Sequence, residues 1–274
     1  VPELPEVETL RRSLAASVVG CRITAVAVRE RRLRTPIVPA ALRRALSGRR
    51  IESVGRRSKY LLLGLDDGGV LVLHLGMSGR FVRHAPATPL APHTHVRLAL
   101  DDGSELRYLD PRRFGMLFVV RAARLASHPR FAALGPEPLD AGFTAAALRE
   151  RAGAARRPIK SALMDAGVVV GVGNIYACES LHRAAIHPAT PVRRLATPRW
   201  ERLHAALQAV LQDALRSRGT TLNDFRDSNG TSGGFQERLA VYGRAGAACS
   251  RCGRTIRRIV QAGRSTFYCP GCQH

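Results

Sequence analysis

The chain has 274 residues, 45% of them hydrophobic, so it can bury a sizeable core and is not a disordered polymer. Lys and Arg total 43 against 21 Asp and Glu, a formal net charge of +22 that points to a polyanionic partner and says little about fold. No apolar run approaches the roughly 20 residues of a membrane span, and the N-terminal stretch lacks the apolar core of a secretion signal, so a cytoplasmic protein is expected.

Residues 2–17 read as a helix. Pro5 suits a first turn, Glu3, Glu6 and Glu8 complement the positive end of the dipole, and Leu4, Val7, Leu10 and Leu14 recur at helical spacing. After Gly20 the texture turns to strands. Residues 22–29 alternate Ile23, Ala25 and Ala27 against Thr24, Val26 and Val28. Strands are expected over 59–65 and 70–75, joined by Asp66-Asp67-Gly68-Gly69, and over 95–100 and 105–109 around Asp101-Asp102-Gly103. A short strand follows over 116–120.

Leu134-Gly135-Pro136-Glu137-Pro138-Leu139 reads as a linker, and helices are expected beyond it over 144–152, 158–166 and 174–185. Thr197-Pro198 reads as an N-cap and first-turn pair for a helix that carries Leu203, Leu207, Val210, Leu211 and Leu215 on one face and stops at Gly219. Residues 220–234 are polar and long for a structureless connection, which marks them as functional. The expected division is 1–133, a linker at 134–139, a helical domain at 140–237 and a ribbon at 238–274.

The strongest physical signal is Cys249-x2-Cys252-x16-Cys269-x2-Cys272. Two such knuckles fit four thiolates around one zinc ion. Four protein ligands leave no open position, so the zinc is structural. A redox or disulfide pair is the competing reading. Arg251, Arg254, Arg257, Arg258 and Arg264 sit in this ribbon, which suits it to phosphates. Cys21 and Cys178 stand alone and read as small buried hydrophobes.

Asp110-Pro111-Arg112-Arg113-Phe114-Gly115 follows a strand and places two guanidiniums and an aromatic ring on a turn. Such a tip can enter a base stack while holding phosphates; a charged turn with a packed Phe is the plain alternative. Leu75-Gly76-Met77-Ser78-Gly79 is a second glycine-flanked tip, with a core methionine as its alternative. Gly171-Val172-Gly173-Asn174 opens a helix whose N–H groups suit one DNA phosphate.

Pro2-Glu3-Leu4-Pro5-Glu6-Val7-Glu8-Thr9, Arg57-Ser58-Lys59-Tyr60, the segments around His74–Gly79 and 110–115, Val170–Tyr176 and the four-cysteine ribbon occur in this order. As a set, spanning Pro2 to Cys272, they resemble the bacterial formamidopyrimidine-DNA glycosylases of the MutM type. That resemblance implies an α+β multidomain fold. An N-terminal helix and β-sandwich would precede a helix-two-turn-helix domain and a zinc ribbon, with DNA in the cleft between the domains.

The resemblance also implies roles. Pro2 would attack C1′ of the damaged nucleoside through its secondary amine, and Glu3 would be the general acid/base with Glu6 supporting the same site. Lys59 would serve β-elimination and Arg264 the phosphates and δ-elimination. His74, His93, Arg156, Lys160 and Asn174 would contact DNA, Lys160 having a helix-surface lysine as its plain alternative. Met77, Arg112 and Phe114 would fill the gap left by the everted base, and residues 220–234 would close over a flipped 8-oxoguanine. Of 43 basic residues only Lys59 and Lys160 are lysines. Arginine bias explains the rest, and Lys can donate a proton where Arg cannot.

The implied activity is a bifunctional glycosylase and abasic-site lyase on oxidised purines, with one structural zinc, no catalytic cofactor and no membrane. It would act as a monomer on double-stranded DNA in the bacterial nucleoid. Residue 1 is Val, and a Pro2 nitrogen held in a peptide bond cannot be a nucleophile. The mature chain is therefore expected to begin at Pro2. Two other readings stand beside this one: an endonuclease VIII-like enzyme for oxidised pyrimidines, which Leu4 and the long 220–234 segment disfavour, and a non-catalytic binder of abasic or distorted DNA if Pro2 stays blocked.

Overall fold

The computed structural model describes residues 2–220 and 233–274. The chain divides into two compact units, Val1–Ala132 with Arg218–Gly234, and Ala133–Ser217 with Phe235–His274. The expected loop at 220–234 lies outside the described residues, apart from Thr220, Gly233 and Gly234, as does Val1.

In the first unit α1 (Leu4–Val18) starts at Glu3, whose backbone N–H donates to Glu6 Oε2 at 2.7 Å. One helical face, Val7, Leu10, Leu14 and Val18, is buried. Two antiparallel four-stranded sheets follow. One has the order β1 (Ile23–Val28), β6 (Thr94–Leu100), β7 (Glu105–Leu109), β5 (Arg80–His84); the other runs β2 (Ile51–Arg57), β3 (Tyr60–Leu65), β4 (Gly69–His74), β8 (Met116–Arg121). Val26, Phe81 and Leu98 of the first sheet, Leu61, Leu63, Leu71 and Leu73 of the second and the α1 face share a single core. Burying such side chains contributes roughly 1.5–3 kcal/mol each, which makes this apolar layer the main stabiliser of the sandwich.

The simple alternation expected in β1 is interrupted. The register shifts between Ile23 and Ala25, so Ile23 and Val26 are buried while Thr24 and Ala25 are exposed. A bulge of this kind turns one extra side chain outward. A further short helix, α2 (Pro39–Leu46), and strands β2 and β5 complete the unit without having been anticipated.

The second unit packs α3 (Ala145–Ala152), α4 (Ile159–Leu163), α5 (Asn174–Arg183) and α6 (Thr197–Arg216) around a core that includes Leu148, Leu163, Tyr176, Trp200 and Leu207. Thr144 caps α3 by accepting the Ala147 N–H at 3.1 Å. Thr197 is inside α6, not its cap: Ala196 is the N-cap and Pro198 still occupies the permissive first turn. Helix α4 ends at Leu163, short of the expected 166, because the chain turns back at Asp165, which accepts the Gly167 N–H. The C-terminal ribbon is the hairpin β9 (Arg257–Gln261) and β10 (Arg264–Tyr268). Among the described residues, no helix is long and apolar enough to cross a membrane.

Candidate functional site

Lys59 sits at the tip of a two-residue hairpin, since Arg57 pairs with Tyr60. Ser58 adopts φ 56°, a left-handed conformation that non-glycine residues rarely hold outside tight turns. The expected strand start at Lys59 is thus a turn, and the strand itself begins at Tyr60. The β4 strand pairs His74 with Tyr60, whose ring stands 4.9 Å away. Burial, together with the positive charges of Lys59, Arg34 and Arg130, pushes the His74 imidazole down to about 4. Its Nδ1 accepts the Gly76 N–H at 3.0 Å, so the neutral ring carries its proton on Nε2 and can donate from there.

The β4–β5 turn follows. Met77 is 41% exposed and Phe114 on the neighbouring 110–115 turn is 45% exposed. The Arg112 guanidinium lies 4.9 Å from the centre of the Phe114 ring, a cation–π stack. The plain alternatives of a core methionine and a packed Phe are therefore set aside. His93 is exposed, with φ 61°, beside this turn: its carbonyl accepts the Asp110 N–H.

At the N-terminal end Pro2, Glu3 and Glu6 are buried. Glu6 uses one carboxylate oxygen for the Glu3 N–H and the other for the Thr220 N–H, 2.7 Å each. The Glu6 carboxylate thus exceeds a dipole-complementing role: it fixes the Glu3 backbone and ties helix α1 to Thr220, while the Glu3 carboxylate caps the N-terminal turn by accepting the Glu6 N–H.

In the second unit the structure assembles Lys160, Asn174 and the ribbon. Lys160 is 1% exposed, so the surface-lysine alternative fails; its ammonium donates to Thr266 Oγ1 at 2.6 Å. Asn174, at the start of α5, donates from Nδ2 to the Ser265 carbonyl at 2.9 Å. Both bonds fix β10, whose first residue, Arg264, is exposed. Arg156 is exposed on the bend before α4.

Three supports escaped the sequence reading. Asp110 is fully buried and accepts from Ser78, Tyr108 and the Gly115 N–H. Glu179, buried on α5, accepts the N–H groups of Ala240, Val241 and Tyr242. Burial raises its carboxyl, and the three N–H groups oppose that rise without cancelling it. His182, one turn further along, places Nε2 3.6 Å from Cys249 Sγ. No local pattern marks Glu179 and His182, because their partners lie far along the chain, and Asp110 is closed over by Ser78 from 32 positions away.

The ribbon cysteines converge. The Sγ atoms of Cys249, Cys252, Cys269 and Cys272 all lie within 4.8 Å of one another. Thiolates on a tetrahedral zinc with bonds of about 2.3 Å stand about 3.8 Å apart, so the set fits the ion. The Arg254 N–H and neighbouring thiols bring Cys252 down to about 7, while burial and the same neighbours push Cys272 up to about 12, so the four become thiolates together only against a cation. Among the described residues a small apolar core of Cys178, Val241 and Ile256, with Tyr242 and Phe267 packed against it, surrounds the cluster. Cys178 is buried as expected, whereas Cys21 is half-buried.

Family models agree with this arrangement along the chain. The formamidopyrimidine-DNA glycosylase N-terminal domain matches residues 1–117, the formamidopyrimidine-DNA glycosylase H2TH domain matches 134–226, and the zinc finger found in FPG and IleRS matches 246–274. A formamidopyrimidine-DNA glycosylase of Alkalilimnicola ehrlichii is 51% identical over 280 residues, covering 100% of both chains. The Lactococcus lactis Fpg in complex with an abasic-site DNA superposes with TM-score 0.92 at 34% identity, covering 99% of each chain. The same protein in complex with a Fapy-dG containing DNA gives TM-score 0.91 at 33% identity, over 99% of this chain and 100% of that one. With its zinc ribbon, its helical domain and its helix-fronted sandwich matched in order and at full length, the chain belongs to the formamidopyrimidine-DNA glycosylase family.

Proposed function

We propose that this protein is a bifunctional DNA glycosylase and abasic-site lyase that removes oxidised purines, 8-oxoguanine and formamidopyrimidines, from double-stranded DNA. The observation that carries the reading is the pair of exposed apolar tips, Met77 and Phe114, the latter stacked on Arg112, in a chain of net charge +22. An exposed apolar tip flanked by guanidiniums is suited to replacing an everted base while phosphates are held. Relatives solved with Fapy-dG and abasic-site DNA support the substrate class.

This reading requires a free Pro2 amine. The secondary amine attacks C1′, the damaged base leaves with its bonding electrons, and an iminium joins Pro2 to the opened sugar. Glu3 delivers and accepts the protons, held in place by the bond from its N–H to Glu6. Loss of the acidified C2′ proton expels the 3′ phosphate, and a second elimination expels the 5′ phosphate. Lys59 supplies proton transfer and phosphate contact in the first elimination. Arg264 clamps phosphate in the second, because a guanidinium with pKa above about 12 is a poor proton donor. His74, through neutral Nε2–H, joins His93, Arg156 and Asn174 in holding the backbone, and Lys160 works from behind by fixing β10.

The domains assigned to these tasks are 1–133, 140–237 and 238–274, joined at 134–139. The zinc holds the ribbon in shape and enters no step. The enzyme works as a monomer at the bacterial nucleoid.

Borohydride trapping tests the reading. A chain beginning at Pro2 is expected to form a covalent adduct with an 8-oxoguanine duplex, and peptide mapping is expected to place it on Pro2. Failure to trap with a verified free Pro2, or an adduct on Lys59, would reject the mechanism. Preference for thymine glycol over 8-oxoguanine would favour the oxidised-pyrimidine alternative.

A further inference from the structure

Met77 and Phe114 sit on different turns, 37 positions apart in sequence. Independent loops at that spacing would present two unrelated tips. Instead they are joined by a buried network. Ser78 Oγ donates to Asp110 Oδ1 at 2.8 Å and accepts the Arg112 N–H at 3.3 Å. The other Asp110 oxygen accepts the Gly115 N–H at 2.8 Å and the Tyr108 hydroxyl at 3.1 Å. Asp110's own backbone is held from both sides: its N–H donates to the His93 carbonyl at 3.1 Å, and its carbonyl accepts from the Arg113 N–H at 3.1 Å and lies 2.7 Å from His95 Nε2.

The backbones also touch. A Cβ on Gly76 would lie 2.5 Å from the Phe114 carbonyl carbon and 2.6 Å from the Gly115 nitrogen. His93 and Arg113 hold φ of 61° and 57°, strain that persists only where surrounding bonds fix the chain. A fully buried carboxylate must have its oxygens satisfied, and Ser78, Gly115 and Tyr108, which satisfy this one, belong to a tip-bearing turn or to the strand feeding it.

We infer that Asp110 and Ser78 are positioning residues that lock the Met77 and Phe114 turns into one rigid two-pronged probe, so that the two tips enter the helix together. This rests on the proposed reading of Met77 and Phe114 as gap fillers. A preorganised pair avoids the ordering cost of two separate loops at the moment of eversion. Neither residue touches DNA in this account; each acts through the tips.

The test is a double-mutant cycle on single-turnover excision of 8-oxoguanine by the full chain. A 2-aminopurine beside the lesion reports unstacking. Met77→Ala and Phe114→Ala are each expected to slow excision, and their combination to fall short of the product of the single effects. Ser78→Ala is expected to slow excision roughly tenfold, weaken the 2-aminopurine signal and make the two tip losses multiply independently. Ser78→Thr, which keeps the hydroxyl, is expected to restore coupling. Asp110→Asn is expected to act like Ser78→Ala, and if it fails to fold the Ser78 pair decides. Coupling unchanged by Ser78→Ala, while the tip variants lose activity, would overturn the inference alone. Full activity in both tip variants would overturn the tip reading and the inference together.

Discussion

The joint between helix α5 and the ribbon offers the sharpest quantitative test. Glu179 accepts the Val241 and Tyr242 N–H groups on one carboxylate oxygen, at 3.0 and 2.8 Å, and the Ala240 N–H on the other at 2.8 Å. Glu179→Ala would orphan all three donors. At about 1 kcal/mol for each of the half-buried Ala240 and Tyr242 donors, about 1–3 kcal/mol for the buried Val241 donor and about 2 kcal/mol for the cavity, the loss should reach about 5–7 kcal/mol. Glu179→Gln keeps one acceptor oxygen for two donors and turns an NH2 toward the third. It loses charge assistance and orphans one N–H, but it also removes the desolvation that raises this carboxyl. The net cost should be about 1–3 kcal/mol.

Hydrogen exchange at the amides of Ala240, Val241 and Tyr242, read with urea unfolding, measures both. A carboxyl whose folded pKa is raised binds more protons when native, so its contribution falls as pH rises through the folded value. That slope should vanish in Glu179→Gln. An Ala variant within 0.5 kcal/mol of wild type, on the order of a neutral surface change, or a Gln variant as damaging as Ala, would refute the accounting.

Three further outcomes follow from the geometry. His74, held down to about 4, binds fewer protons when folded than when unfolded near 6.5, so its contribution is complete above about 6.5 and is lost as pH falls toward 4. About 3 kcal/mol should disappear over that window, and the slope should flatten in His74→Gln; an unchanged slope contradicts the assignment. Gly76→Ala should cost about 2–3 kcal/mol in thermal unfolding, since φ of 64° and a backbone contact of 2.5 Å both oppose a Cβ, whereas Gly20→Ala, with positive φ but nothing within 4 Å, should cost about 1 kcal/mol. Equal losses would show that the contact is immaterial. Strong chelation should release one zinc per chain and remove exchange protection from β9 and β10, because Val241, Ile256 and Cys178 offer too small a core to hold a hairpin alone; a protected ribbon after zinc loss would reject a structural role.

Chemistry confined to a few neighbouring residues was legible from sequence. Asp66-Asp67-Gly68-Gly69 announces the β3–β4 connection, and the knuckle spacing announces the thiolate cluster, because turn geometry and metal ligation are local demands. Helix α2 escaped because it is short and buries only Leu42 and Leu46. Strand β2, IESVGRR, escaped because a glycine and two arginines mask the half-buried pattern; its absence put Lys59 in a strand instead of at a hairpin tip. Lys160 and Asn174 were singled out, but their partners Thr266 and Ser265 lie about a hundred positions away and no local motif predicts them. Asp110 was visible only as the first letter of a charged turn. Its burial is a tertiary fact, created when Ser78 and Tyr108 close over it.

Helix α5 carries one last consequence. Asn174, Glu179 and His182 meet Ser265, the chain at 240–242 and Cys249 in turn, so three side chains of one helix read the ribbon at three heights. One inserted residue between Asn174 and Glu179 would rotate one against the other by about 100° and break the set's alignment. The ribbon looks like a detachable cassette on paper, contiguous and self-ligating. In space it is half of a lock whose other half is cut into α5. A ribbon transplanted from a relative would therefore dock only if its host helix offered the same teeth in the same phase.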